Sequence, residues 1–189
     1  MYDFVATPAD VPADSDVAVQ SAPQTSAEID TGRQLGAQIA KELVADIQGM
    51  GLPAQEAAAG TSPEFGDIMI RGYLLSIVPG SAAKRLAIGF GSGASELTTA
   101  VEGFQMTPQG PRKLGSGTVE SGGSKTPGAA MPAAVAIASG NPVGLIVSSG
   151  MKIYGEASGS SKVEGRAKQT ASEIADQLKI RFQQEGWIS

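Results

Sequence analysis

The chain of 189 residues contains no cysteine and no histidine, and it is poor in aromatic (5%) and charged (17%) side chains. Without cysteine there can be no disulfide, thiolate nucleophile, zinc ribbon or iron–sulfur ligation. Without histidine there can be no Ser-His-Asp triad, HExxH motif or imidazole pH switch. Basic residues are scarce as well. Fourteen Lys and Arg stand against 19 Asp and Glu, a net charge of −5 with a pI near 4.8. The densest basic groups are only Lys84-Arg85 and Arg112-Lys113. Nucleic-acid binding is not expected, because phosphate contacts need clustered cations. The chemistry left is that of carboxylate pairs, Ser–Lys arrangements, tyrosine, or an oxygen-ligated Mg²⁺ or Ca²⁺ site. Glu56, Glu64 and Asp67 make no spaced carboxylate set, and no EF-hand pattern occurs.

The length suits one domain of roughly 150 residues plus an arm, enough to bury a core without disulfides or metals. Met1 to Ala6 reads as a strand that begins at once, with neither a basic nor an apolar leader region. A leader upstream of the given start is therefore expected. Residues 7–25 form an acidic, Pro-rich linker arm with Pro8, Pro12, Pro23, Asp10, Asp14 and Asp16. It is expected to be solvated and extended, the alternative being an arm that docks on a partner or a neighbouring subunit.

Thr25-Ser26-Ala27-Glu28 is a capping-box pattern. Ile29, Gly32, Gly36, Ile39, Leu43 and Ile47 then recur at spacings of three and four, one apolar helix face. Gly49, Gly51 and Pro53 end it. Gly32 and Gly36 on that face predict close approach to a sheet. Gly66 to Val78 is apolar on both alternating faces, as a central covered strand would be. Arg85 to Gly89 is a short strand candidate. Glu96 to Met106 alternates, residues 107–110 turn, and Arg112 to Glu120 pairs back as a hairpin arm. A last amphipathic helix opens near Ser161-Lys162-Val163-Glu164 and buries Ala167, Ala171, Ile174, Leu178 and Phe182. Trp187, the single tryptophan, is expected to close the core just beyond it. The fold class that follows is α+β in a single domain. A mixed or mostly antiparallel sheet of about four to six strands is packed by two long amphipathic helices.

Thr126 to Met151 carries no charge. Pro132, Gly140-Asn141-Pro142 and the predominance of Ala and Gly make it a poor spanning helix despite its length. It is expected to be a Gly/Ala-rich insertion of two short apolar arms around a turn. It either packs on its own domain or meets another subunit or a membrane. Met131, Val135, Ile137, Pro142, Leu145, Ile146 and Val147 are its candidate interaction surface.

Three chemical motifs fail on context. Gly89-Phe90-Gly91-Ser92-Gly93-Ala94 fits G-x-G-x-x-A, but a strand, not a helix, is predicted to follow. Ser121 to Thr126 lacks both P-loop glycines. Ser81-Ala82-Ala83-Lys84 is an S-x-x-K set in a turn rather than on a helix. No catalytic residue, cofactor or metal ligand is expected, and the chain is not expected to be an enzyme.

The stretches GDIMIRGYLLSI, GSAAKRLAIGFGSGASEL, MTPQGPRKLGSG, SGNPVGLIVSSGMKIYGEASGSS and EGRAKQTASEIADQLKIRF, with the opening YDFVATPADVPADS, resemble the bacterial domain of unknown function 4410 family. The resemblance spans nearly the whole chain. It implies an exported, lipoprotein-like protein with a signal peptide and lipobox cysteine upstream, periplasmic and anchored to the outer membrane. The order of elements is also similar to the curli-secretion channel subunit and to the N-terminal domain of the Tol-system periplasmic protein. In the channel subunit two insertions form membrane-spanning β-hairpins, and Ser81–Ser95 and Ser121–Gly150 occupy the matching places here. The expected function is a non-catalytic, membrane-tethered binding or scaffolding domain. The alternative is a subunit of an oligomeric outer-membrane or secretion-type assembly. Expected partners are a protein or a second copy of the chain, with membrane contact through a lipid anchor or the insertion.

Overall fold

A computed structural model describes residues 1–15, 17, 25–57, 61–78, 96–122 and 160–189. Helix α1 (Ser26–Gly49) starts where its capping box predicts. The Thr25 hydroxyl accepts from the Glu28 amide, and the Glu28 carboxylate accepts from the Thr25 amide. The strands β1 (Ile68–Val78), β2 (Glu96–Thr107) and β3 (Gly110–Gly122) form one antiparallel sheet in the order β1-β2-β3. Helix α2 (Ser160–Gln184) closes the chain. The architecture is α+β, two helices on a three-stranded antiparallel sheet among the described residues. The strand candidate at Arg85–Gly89 and the insertion 126–151 lie outside them.

Alternation along the strands sorts the sheet into two faces. Ile70 and Leu74 of β1, Leu97 of β2 and Val119 of β3 point to the helices. They meet Leu35, Ile39, Leu43 and Ile47 of α1 and Ala167, Ala171, Ile174 and Phe182 of α2. Tyr73, Leu75 and Ala100 point the other way.

The first residues run beside β1. Val5 forms a parallel bridge with Tyr73, Tyr2 N–H donates to Ile70 O (3.2 Å), and Leu74 N–H donates to Val5 O (2.8 Å). Phe4 thereby turns into the helix-side core, 2% exposed. Two glycines make its seat. A Cβ on Gly36 would lie 2.0 Å from the Phe4 carbonyl oxygen, and one on Gly72 would lie 2.0 Å from the Phe4 ring. Only a residue without a side chain allows so close an approach. The small residues of α1 therefore face the amino-terminal segment at Gly36, where the apolar stripe alone predicts a sheet.

Residues 7–15 and 17 of the arm lie on the far face of the sheet, with Ala9, Asp10, Ala13 and Asp14 exposed on its outer side. Thr7 is buried, Pro8–Asp10 makes one 3₁₀ turn, and Val17 (7% exposed) packs with Tyr73, Leu75 and Ala100. Tyr73 and Ala100 offer an apolar surface there that solvent would otherwise cover, and burying it favours the docked arm.

Candidate functional site

The two faces carry two different concentrations of chemistry. Under the arm, Glu102 of β2 is buried (side chain 1% exposed). Its Oε1 accepts from Lys113 Nζ at 2.7 Å, and its Oε2 accepts from the Tyr73 hydroxyl and the Ser15 hydroxyl, both at 2.9 Å. Arg71 Nη1 reaches both oxygens of Asp14 at 2.8 and 2.9 Å and stacks over the Phe104 ring, its guanidinium carbon 4.8 Å from the ring centre. Burial, reinforced by the hydrogen bond and negative charge of Glu102 and opposed by the Ser15 hydroxyl, pushes the Tyr73 phenol up to about 12. A phenol so hard to ionise is a poor general acid or base at neutral pH. Both carboxylate oxygens of Glu102 already have donors. The cluster acts as a latch, since Ser15 and Asp14 belong to the arm while Glu102 and Arg71 belong to the sheet.

The helix side is different. Between the sheet and the second half of α2 lies a cavity of about 360 Å³. This falls near the lower end of the range of about 300–1,000 Å³ usual for small-molecule sites. Its walls are mainly apolar: Ile68, Ile70, Val101 and Val119 from the sheet, Ile174, Leu178 and Phe182 from α2. Its floor is made of glycine. Gly103 on β2 pairs with Gly115 on β3, and Gly117 follows at the next position on the same face. A Cβ on Gly103 would meet no atom within 4 Å. The trough therefore exists because three side chains are missing from one stripe of the sheet.

Trp187 stands on its rim. It is 43% exposed, with its ring centre 5.5 Å from that of Phe182. The tryptophan expected to close the core instead flanks an opening into it. Ser121, which belongs to the failed P-loop motif, is buried between β3 and α2, outside the cavity lining. Its hydroxyl shares a short hydrogen bond with Thr170 of α2 and contacts Leu97 O at 3.4 Å. It braces helix against sheet.

Met131, Val135, Ile137, Pro142, Leu145, Ile146 and Val147 all lie outside the described residues, as do Ser81, Lys84 and Gly89–Ala94. No cluster of three or more acidic metal-ligating residues occurs among the described residues. No helix there is long and apolar enough to cross a membrane. Sequence reasoning missed both concentrations of chemistry. The signals were present: one acid, Glu102, between Ala100 and Phe104 on a strand face, and Gly115 and Gly117 two residues apart in β3.

The family model of a domain of unknown function, DUF4410, matches residues 1–140. The chain belongs to this family. The DUF4410 match takes in α1, strands β1 to β3 and the arm, and it ends before α2, which forms one wall of the trough. No significant match is found among curated proteins or among solved structures.

Proposed function

We propose that this DUF4410 chain is a non-catalytic binding domain of the bacterial envelope, with the glycine-floored trough between sheet and α2 as its ligand site. The observation that carries the reading is the trough itself, an apolar cavity of about 360 Å³ open beside a half-exposed tryptophan. Well-packed interiors rarely keep such a space. Support for non-catalytic work comes from the other face, where the acidic group is locked by three donors. Periplasmic placement, tethering to the outer membrane by a lipid, and a protein partner or self-association belong to the same proposal. The lipoprotein-like character implied by the sequence resemblance supports them. A complete sheet of about four to six strands, the usual size, and the Gly/Ala-rich insertion as an added contact surface are part of the same proposal.

Native mass spectrometry of the protein purified from bacterial membranes tests the binding reading. A small apolar molecule should co-purify with the native chain and be lost in Gly103→Leu. A chain that carries nothing, or a variant that carries the same molecule, would end it. A second reading, a subunit of an oligomeric outer-membrane or secretion-type assembly, is favoured by the outer edge of β3, which pairs with no further strand among the described residues. Mass photometry in detergent would read a strict monomer if that assembly does not form.

A further inference from the structure

The trough has two unlike ends. Beyond one end, past the cavity walls, Ser121 of β3 meets Thr170 of α2. From there β3 runs back toward Arg112 while α2 runs forward toward Trp187, so the cavity is elongated along both. Its walls extend from Val119 to Arg112 on the strand and from Ile174 to Glu185 on the helix. At the rises per residue of strand and helix this is roughly 16–23 Å. The Val119 and Ile174 end is apolar and lies next to the core. The Trp187 end carries two guanidiniums, Arg112 and Arg181, against one carboxylate, Glu185. That is a local excess of positive charge in a chain of net charge −5. Each guanidinium donates to a neutral amide oxygen, Arg112 to Gln105 at 2.6 Å and Arg181 to Gln184 at 3.2 Å. An anionic oxygen can replace such a partner and gain a charge-assisted bond.

Resting on the reading of the trough as a binding site, we infer that its ligand is a single-chain anionic amphiphile. An unbranched hydrocarbon chain lies on the glycine floor toward Val119 and Ile174. A carboxylate or phosphate head sits between Arg112 and Arg181. The narrow floor suits one chain, because Gly103, Gly115 and Gly117 clear a single stripe of the sheet. The guanidiniums select against neutral and cationic heads, since an exposed ion pair contributes up to about 1 kcal/mol, or about fivefold in affinity.

The test titrates the native chain with dodecanoate, dodecyl phosphate, dodecanol and dodecyltrimethylammonium below their micelle concentrations. Fluorescence of Trp187, the single tryptophan, is the readout, with calorimetry alongside. The anionic chains are expected to bind about fivefold or more tighter than the alcohol, and the ammonium weakest. The tighter of the two anions identifies a fatty acid or a lipid phosphate as the source, and either upholds the inference. Arg112→Gln with Arg181→Gln should abolish the preference while leaving dodecanol binding in place. Gly103→Leu should abolish binding of every chain. Should Gly103→Leu not fold, the double arginine variant and the four-ligand series decide alone. Equal binding of all four chains overturns the head-group assignment and leaves the trough standing as an apolar site. No binding of any chain overturns both readings.

Discussion

The two faces of the sheet are built from alternate residues of the same strands, yet they are closed by opposite means. The helix side is sealed by shape: Phe4 fits a seat made by Gly36 and Gly72, and aliphatic side chains pack around it up to the edge of the trough. The arm side is sealed by charge and hydrogen bonds around Glu102, with a small apolar patch beneath Val17. The trough forfeits apolar contacts but leaves no directional bond unmade, because its floor is glycine and its walls are mainly aliphatic and aromatic. A buried carboxylate tolerates no missing partner, and both oxygens of Glu102 are met by donors. One short segment serves both, with Phe4 on one side and Ser15 on the other.

The largest effect should come from breaking the shape-based seal. Phe4→Ala is expected to cost about 3–5 kcal/mol in urea unfolding, as other buried aromatic truncations do. Gly36→Ala gives a sharper test through its sign. Helix propensity alone predicts a gain of about 1 kcal/mol, whereas the clash with the Phe4 backbone predicts a loss. A stabilised variant would refute the seat.

On the other face, Lys113→Met leaves Glu102 buried beside two hydroxyls. The expected loss is about 2–3 kcal/mol, below the value for fully buried pairs because the Lys113 side chain is 29% exposed. Adding Glu102→Leu should recover most of it. If the double variant stays as unstable as the single one, the latch is not an ion pair.

Tyr73→Phe probes the same cluster through pH. At neutral pH it should cost about 1.5 kcal/mol, the worth of a hydrogen bond to a charged group. The native phenol titrates at about 12 rather than 10.0, so the folded state favours the neutral form. That contribution is complete below pH 10, the unfolded value, and is lost as pH rises from 10 toward 12. Native protein should therefore show an alkaline loss of stability over this window that the variant lacks, measured by denaturant midpoints at stepped pH.

The smallest effect sharpens the apolar side. The Thr99 hydroxyl is buried without a hydrogen-bond partner. Thr99→Val should leave stability unchanged or raise it by up to about 1 kcal/mol. A clear loss would mean that this face also depends on a polar bond.

The local elements were legible because their causes are local. The Thr25–Glu28 box marked the start of α1, the turn at 107–110 marked the hairpin, and a 3.6-residue apolar period marked both helices. The arm was not legible, because prolines and aspartates look alike whether solvated or docked. What docks them is Arg71, 57 positions from Asp14, and Glu102, 87 positions from Ser15. The trough was hidden for a related reason. Glycine at 115 and 117 reads as weak strand, and only with Gly103 set opposite and α2 laid above does the missing volume become a space.

The sequence by itself therefore determined the periodic elements, their caps and turns, since each depends on neighbours within a few residues, and its composition excluded cysteine and histidine chemistry from these 189 residues. Only the tertiary structure decided that Phe4 wedges between two glycines, that a lone glutamate latches the arm, and that three glycines open an apolar trough beside Trp187. Those outcomes require side chains far apart in the chain to meet, and the energy of such a meeting belongs to the pair rather than to either residue.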